Sequence, residues 1–379
     1  MKGVFWIITT EGTAMDNQNN AEGFNNMREV DTYSAKCQGC GSTMVFDPET
    51  QSLKCEHCGT VCEIEKDFNV VENDITEGFA LAEKWNKDEQ VSFRCENCGA
   101  VVVLSVDEEA SICPFCGATH IAKEGSFDGV RPHVVIPFQI GEEKAVELSK
   151  KWAKSRIFAP RKFKKSISVE KINGIYEPCF TFDSMTYSSY RGRVGDMKTR
   201  TVGHGKNRRT ETYVDYRMVS GNFNCFYDDV LVATNENFTQ SHLNDLAPFD
   251  TGAACVYEKK YLSGYMADGY QKNLDESWGN AKHIIDGRIR GDIKAKLHCD
   301  VVDYLNVETH HHDVKFKYML LPIYTLLYLF KKKKYILRVN GSTGKVRGKT
   351  PVSPFKVAIA SVLGAAITFF LVWLIATYG

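Results

Sequence analysis

The sequence predicts an α+β protein. Two copies of one small cysteine module precede a mixed domain of antiparallel sheet and helices, and a single apolar helix closes the C-terminal end. Three observations predict this. CQGCGSTMVFDPETQSLKCEHCG, residues 37–59, returns in the same frame as CENCGAVVVLSVDEEASICPFCG, residues 95–117. Between residues 121 and 349, helical and alternating patterns mix without a comparable repeat. From Val357 to Thr377, VAIASVLGAAITFFLVWLIAT is uncharged and apolar, over about the 20 residues that a helix needs to cross a ~30 Å hydrocarbon core.

Taken in chain order, residues 1–34 read as a disordered N-terminal tail. VFWII is too brief for the core of a signal peptide, and DNQNNAEGFNNM is polar and asparagine-rich. The first cysteine module covers 35–62, a linker 63–92 and the second module 93–120. The mixed domain covers 121–353 and the apolar helix 356–378. A chain of 379 residues suits roughly two or three domains. Lysine plus arginine and aspartate plus glutamate are equal at 47 each, so no global charge draws the chain onto nucleic acid or acidic lipid.

Each module holds two cysteines separated by two residues, then fourteen residues, then a second such pair. Cys37, Cys40, Cys55 and Cys58 reappear at one constant offset as Cys95, Cys98, Cys113 and Cys116. A two-residue gap lets a tight turn aim both thiolates at one ion, and Gly41, Gly59, Gly99 and Gly117 supply a left-handed residue after each pair. The frames read as zinc ribbons with two structural Zn2+ ions. Four thiolates leave no open position for catalysis, and two complete pairs per frame argue against a dithiol switch. His57 is expected to point outward, because its counterpart is Phe115. Cys62 is expected to be a small buried residue. The five cysteines outside the frames (Cys62, Cys179, Cys225, Cys255, Cys299) are dispersed and odd in number, which argues for a reducing compartment.

Zinc ribbons often bind nucleic acid, but these are acidic. The first carries Lys54 against Asp47, Glu49 and Glu56, the second Arg94 against Glu96, Asp107, Glu108 and Glu109. Phosphate contacts need clustered lysine and arginine, so protein contact is the expected role, with a membrane-tethered nucleic-acid-binding factor as the alternative.

In the mixed domain, EEKAVELSKKWAKSRIF places Ala145, Leu148 and Trp152 at helical spacing. NLDESWGNAKHIIDGRIRGDIKAKL carries a stripe of Leu274, Trp278, Ala281, Ile285, Ile289, Ile293 and Leu297, as a long amphipathic helix does. CFTFDSMTYSSY, TETYVDYRMV and NCFYDDVLVAT alternate as strands of an antiparallel sheet with one wet face. GSTGK, Gly341 to Lys345, lacks the spacing of a phosphate loop and reads as a turn between strands. GHGKNRR, Gly203 to Arg209, reads as a hairpin tip, either simply solvated or a contact for an acidic partner or headgroups. His310, His311 and His312 alternate faces in an extended chain and cannot all meet one ion. Lys331 to Lys334 form a hairpin tip that could lie against an anionic leaflet. No set of nucleophile, base and orienting residue suggests an enzyme, and no small-molecule substrate is evident.

A buried core helix of the length of 357–377 would show a polar stripe, and this one shows none. Lys345, Arg347, Lys349 and Lys356 precede it, so the positive-inside bias predicts a single-pass cell-membrane protein with its N-terminal bulk in the cytoplasm. The run YMLLPIYTLLYLFKKKKYILRVNGSTGKVRGKTPVS leads into the span. Together with the ribbons, its Leu320 to Ser353 portion resembles the YdjG-like, TFIIB-type zinc-ribbon membrane proteins of bacteria. Members are often described as primosomal or helicase-like on the ribbons alone; this chain has no Walker loop or other helicase motif. The resemblance implies a membrane-attached partner of SPFH-domain (flotillin-like) proteins, in complexes that bring the stress protein PspA to a damaged membrane.

Overall fold

The computed structural model describes residues 30–32, 35–78, 90–95, 101–105, 121–126, 132–165, 171–204, 208–235, 238–268, 270, 272–331 and 333–378. Strand β1 (Val30–Thr32) lies within residues 1–34, expected as a disordered tail, of which residues 1–29, 33 and 34 lie outside the described residues. The first cysteine module is β2 (Ala35–Lys36), β3 (Thr43–Asp47), β4 (Ser52–Cys55) and β5 (Val61–Glu63), an antiparallel sheet in that order. Within the linker lies β6 (Asn73–Asp74). Around the second module lie β7 (Gln90–Cys95), which starts in the linker, β8 (Val101–Ser105) and, past the module's expected end at 120, β9 (Ile121–Ser126), ordered β8-β7-β9. Phe93 and Arg94 pair with Val102 and Val101, which is the pairing of Ala35 and Lys36 with Met44 and Thr43 displaced by the cysteine offset of 58 residues. Over this one pair of strands the repeat is structural as well as sequential.

The body is built on three long strands. After β10 (Val134–Val135) and helices α1 (Glu142–Ser155) and α2 (Arg161–Lys165) come β11 (Lys171–Val202) and β12 (Arg209–Ala233), antiparallel neighbours; residues 205–207 of the expected tip between them lie outside the described residues. Helix α3 (Gln240–Leu246), β13 (Cys255–Val256), β14 (Met266–Asp268) and helix α4 (Leu274–Leu297) lead to β15 (Val301–Phe330), followed by β16 (Lys333–Asn340), β17 (Val346–Gly348) and helix α5 (Pro354–Tyr378). Ten strands of the described residues form the body sheet, with β11 central between β12 or β14 on one side and β15 on the other. Most pairings are antiparallel as expected; β10 with β15 and β11 with β14 are short parallel ones. The tail and linker stretches join the same sheet, β1 beside β14 and β6 beside β15.

On β11 between Met185 and Val194, even-numbered residues are buried and odd-numbered ones face outward, as period-two alternation requires. Helix α4 covers the inner face. Its Ile285, Ile289 and Ile293 pack with Tyr190, Tyr227 and Val230, and it buries Leu274, Ser277 and Ala281 further along the stripe. Asn273 caps it by accepting the Glu276 N–H at 2.8 Å. Helix α1 turns Ala145, Ser149 and Ala153 fully inward, with Leu148 and Trp152 half-buried beside them.

The first module is packed into the body rather than hung from it. Met44, Phe46, Leu53, Cys37 and Cys55 share one core with Phe138, Tyr176, Tyr261 and Tyr265. Ser263 makes the joint: its hydroxyl donates to the Met44 carbonyl at 2.6 Å and its carbonyl accepts the Phe46 N–H at 2.8 Å. Gly264 follows at φ +82°, and a Cβ there would lie 2.4 Å from Val45 Cγ1. Gly264→Ala is therefore expected to lower stability by about 2–4 kcal/mol, left-handed strain adding to overpacking. A urea midpoint equal to that of the parent would show that the module does not rest on this joint.

Candidate metal centre

Two matched turns present the four thiols of the first module. In each, the first cysteine's carbonyl accepts the glycine N–H four residues on: Gly41 to Cys37 at 2.8 Å, Gly59 to Cys55 at 2.9 Å. The cysteine N–H then donates to the carbonyl five residues on, Ser42 at 2.8 Å and Thr60 at 2.9 Å. Gly41 and Gly59 sit at φ +73° and +76° with open space around them, so conformation and not room selects glycine. Pairing of β3 with β4 sets Met44 opposite Cys55 and brings the turns together.

The result is a cluster in which Cys37, Cys40, Cys55 and Cys58 place their sulfurs within 4.8 Å of one another. Cys37 lies 3.5 Å from Cys58, and Cys40 lies 3.5 Å from Cys55. Four sulfurs around zinc at 2.3 Å bonds would stand about 3.8 Å apart, so the set fits one four-coordinate ion. The thiols are free. Thr60 Oγ1 lies 3.0 Å from Cys58 Sγ, and this contact, followed by the Thr60 N–H, holds that thiol down to about 6. The Cys40 N–H, then Gly39 N–H, lowers Cys37. Cys55 is fully buried; the Cys58 N–H pulls its pKa down, but burial and the neighbouring thiol outweigh this and push it up to about 11. An ion bound here would exchange the remaining thiol protons for metal–sulfur bonds and leave no open position.

His57 is exposed and outside the cluster, as its outward reading requires. Cys62 corrects an expectation: it is exposed, on β5, where all three residues face solvent. As the last strand of a four-stranded sheet, β5 has no layer over it. Of the second set, Cys95 is the last residue of β7, while Cys98, Cys113 and Cys116 lie outside the described residues.

The histidines separate as alternation demands. His311 faces inward, 3.1 Å from Ser184 Oγ and against Trp278, and burial lowers its pKa. His312 lies on the other face against Tyr187. GSTGK is a turn in which Asn340 Oδ1 accepts the N–H groups of Ser342 and Thr343 at 2.9 and 3.1 Å.

One charged cluster was not anticipated. Asp183, Asp228 and Asp229 converge where β11 meets bulges in both neighbours, and Asp229 takes φ +47°. Lys317 Nζ, almost wholly buried, lies 2.9 Å from Asp229, 3.0 Å from Glu72 and 3.6 Å from Asp183. The Asp229 N–H donates to Asp183 at 2.7 Å. The lysine is thus the cation of this cluster. Charged letters inside the apolar runs FTFDS, FYDDV and FKY were the available signal.

Helix α5 is long and apolar enough to cross a membrane, with a mean hydropathy of 2.4 and none of that stretch buried against the body. No family model and no solved structure matches the chain. The chain is 30% identical over 330 residues to YdjG, an uncharacterized protein of Bacillus subtilis (strain 168), covering 86% of this chain and 92% of that protein. This chain belongs to the YdjG family.

Proposed function

We propose that the protein is a membrane-anchored, cytoplasm-facing adaptor that carries two structural zinc ions and performs no catalysis of its own. The observation that carries the reading is the combination of a closed four-thiol cluster, packed into the body core, with a helix whose membrane-length apolar stretch is not buried against the body. A closed site stabilises a surface and does not turn over substrate. The second ion would be held by Cys95, Cys98, Cys113 and Cys116; the conserved pairing offset between the modules supports this. On the family resemblance, its partners are an SPFH-domain membrane protein and, through it, a PspA-like stress protein. The acidic ribbons disfavour the nucleic-acid alternative.

Cys95→Ser is expected to reduce zinc from two ions per chain to one, because each module has a complete ligand set. Elemental analysis reads this directly, and loss of both ions would mean shared ligands. Affinity purification of the full chain from membranes, with mass spectrometry, tests the adaptor role. Recovery of an SPFH-domain protein with the parent supports it. Salt-sensitive recovery of nucleic acid in its place would move the protein to the alternative class.

A further inference from the structure

The end of the body from which α5 departs is assembled from two segments some 200 residues apart in the chain, and both are free of carboxylates. Among the described residues, 148–165 hold eight lysines and arginines, and 331 with 333–356 hold another eight, with no aspartate or glutamate in either. Phe163, buried on α2, ties the first segment to the end of β15 that leads into the second, packing on Tyr328 and Phe330 with ring centroids 5.1 and 5.6 Å away. The first turn of α5 is bound to the same place. Ser353 N–H donates to the Phe158 carbonyl at 2.9 Å, and Lys356 Nζ donates to the carbonyls of Ile157 and Ala159 at 3.0 and 2.7 Å.

Around that junction four large apolar side chains stand in solvent: Ile157 is 77% exposed, Phe158 44%, Val352 59% and Phe355 74%. They surround the point where the chain would pass into the bilayer, flanked by exposed Lys162, Lys331 and Lys333. Tyr328 continues the face: its hydroxyl donates to the Lys349 carbonyl at 2.7 Å and its ring stacks on Tyr335. Tyr335 in turn lines a cavity of about 670 Å³, in which His242, Arg338, Arg347 and Lys349 face a single carboxylate, Asp245. Burial and then Arg338 push the His242 pKa down, as a positive local field does.

We infer that this end of the body is itself a lipid-binding face, holding the body against an anionic phospholipid surface through an apolar wedge and a surrounding basic collar. The inference rests on the anchored reading of α5 and goes beyond it, because an anchor alone leaves the body free to tilt. Apolar side chains at headgroup depth and lysines against anionic lipid are the two contributions that hold a peripheral surface to a leaflet. The α1–α2 segment has no covalent reason to share the basic flank of the span. Only the fold puts it there.

The test is amide hydrogen exchange of residues 157–164 in the full chain, reconstituted in lipid nanodiscs of phosphatidylcholine alone or with phosphatidylglycerol. Exchange is expected to be roughly tenfold slower in the anionic discs. The triple variant K162E/K331E/K333E, which changes three exposed residues, should lose that slowing while remaining in the discs. Equal exchange in both disc types, with the chain incorporated, overturns the lipid-binding face and leaves the anchor standing. Slowing by inorganic phosphate in neutral discs would assign the collar to a soluble anion and also overturn it. A chain that enters neither disc overturns the anchor and the face together.

Discussion

Replacing Cys58 with serine is expected to unfold more than a zinc ribbon. The change leaves three thiolates, so the free energy of metal binding, about 10–16 kcal/mol for structural zinc in small peptides, is largely lost. In an isolated bead that loss would stop at the module boundary. Here Met44, Phe46 and Leu53 lie in one core with Tyr261, Tyr265 and Phe138, and Phe46 meets Tyr261 edge-on at 5.4 Å. Exposing three such side chains costs roughly 5–9 kcal/mol, a large part of the 5–15 kcal/mol by which domains are stable. The thermal midpoint of the body should therefore fall steeply, together with the zinc content. Near-ultraviolet circular dichroism, which reports the core tyrosines, and elemental analysis read the two effects. A body that melts at the parent temperature after losing the first ion would show that the ribbon is separable.

That coupling was not legible in the sequence, whereas the ribbon was. The cysteine spacing is local, and local spacing fixes the turns at Gly41 and Gly59 and the pairing of β3 with β4. The docking depends on Ser263, more than 200 residues away, whose letters in KKYLSGYM carry no periodic signal. The stripe on α4 is legible for the same reason as the ribbon: all seven of its apolar positions lie on one helix. TETYVDYRMV and NCFYDDVLVAT stand as two runs in the sequence and form the single strand β12. In the fold Gly221 lies under Tyr190, where a Cβ would come within 2.7 Å of its hydroxyl, and the strand runs on. Cys62 departs from its expected burial because a small residue carries no signal of whether a layer covers it.

Lys317→Met should be the most damaging single change within the sheet. The lysine side chain is 8% exposed and sits among three carboxylates, so its removal leaves Asp183 buried beside Asp229 without the cation between them, while Glu72 keeps only the half-exposed Lys315 at 3.5 Å. Breaking a buried pair from one side typically costs about 3–5 kcal/mol. Burial raises the Asp183 pKa to about 6 even with the lysine present, while Lys317 lowers that of Glu72 against burial. Without Lys317, Asp183 should bind a proton more readily in the folded state than in the unfolded chain, and Glu72, left with Lys315 alone, more readily than in the parent. A folded-state pKa raised above its unfolded value gives stability that is retained at low pH and lost as pH rises through the folded value. The variant should therefore lose least near pH 5 and most above pH 7. The damage should also have a location. Glu72 leads into β6, where Asn73 and Asp74 pair with Phe316 and Lys315, so residues 72–75 should exchange amide hydrogens faster while the α4 core changes little. Urea midpoints across pH 5–8 measure the first effect and site-resolved exchange the second. A variant as stable as the parent at pH 7.5, with 72–75 still protected, would mean that solvent and not Lys317 balances these carboxylates.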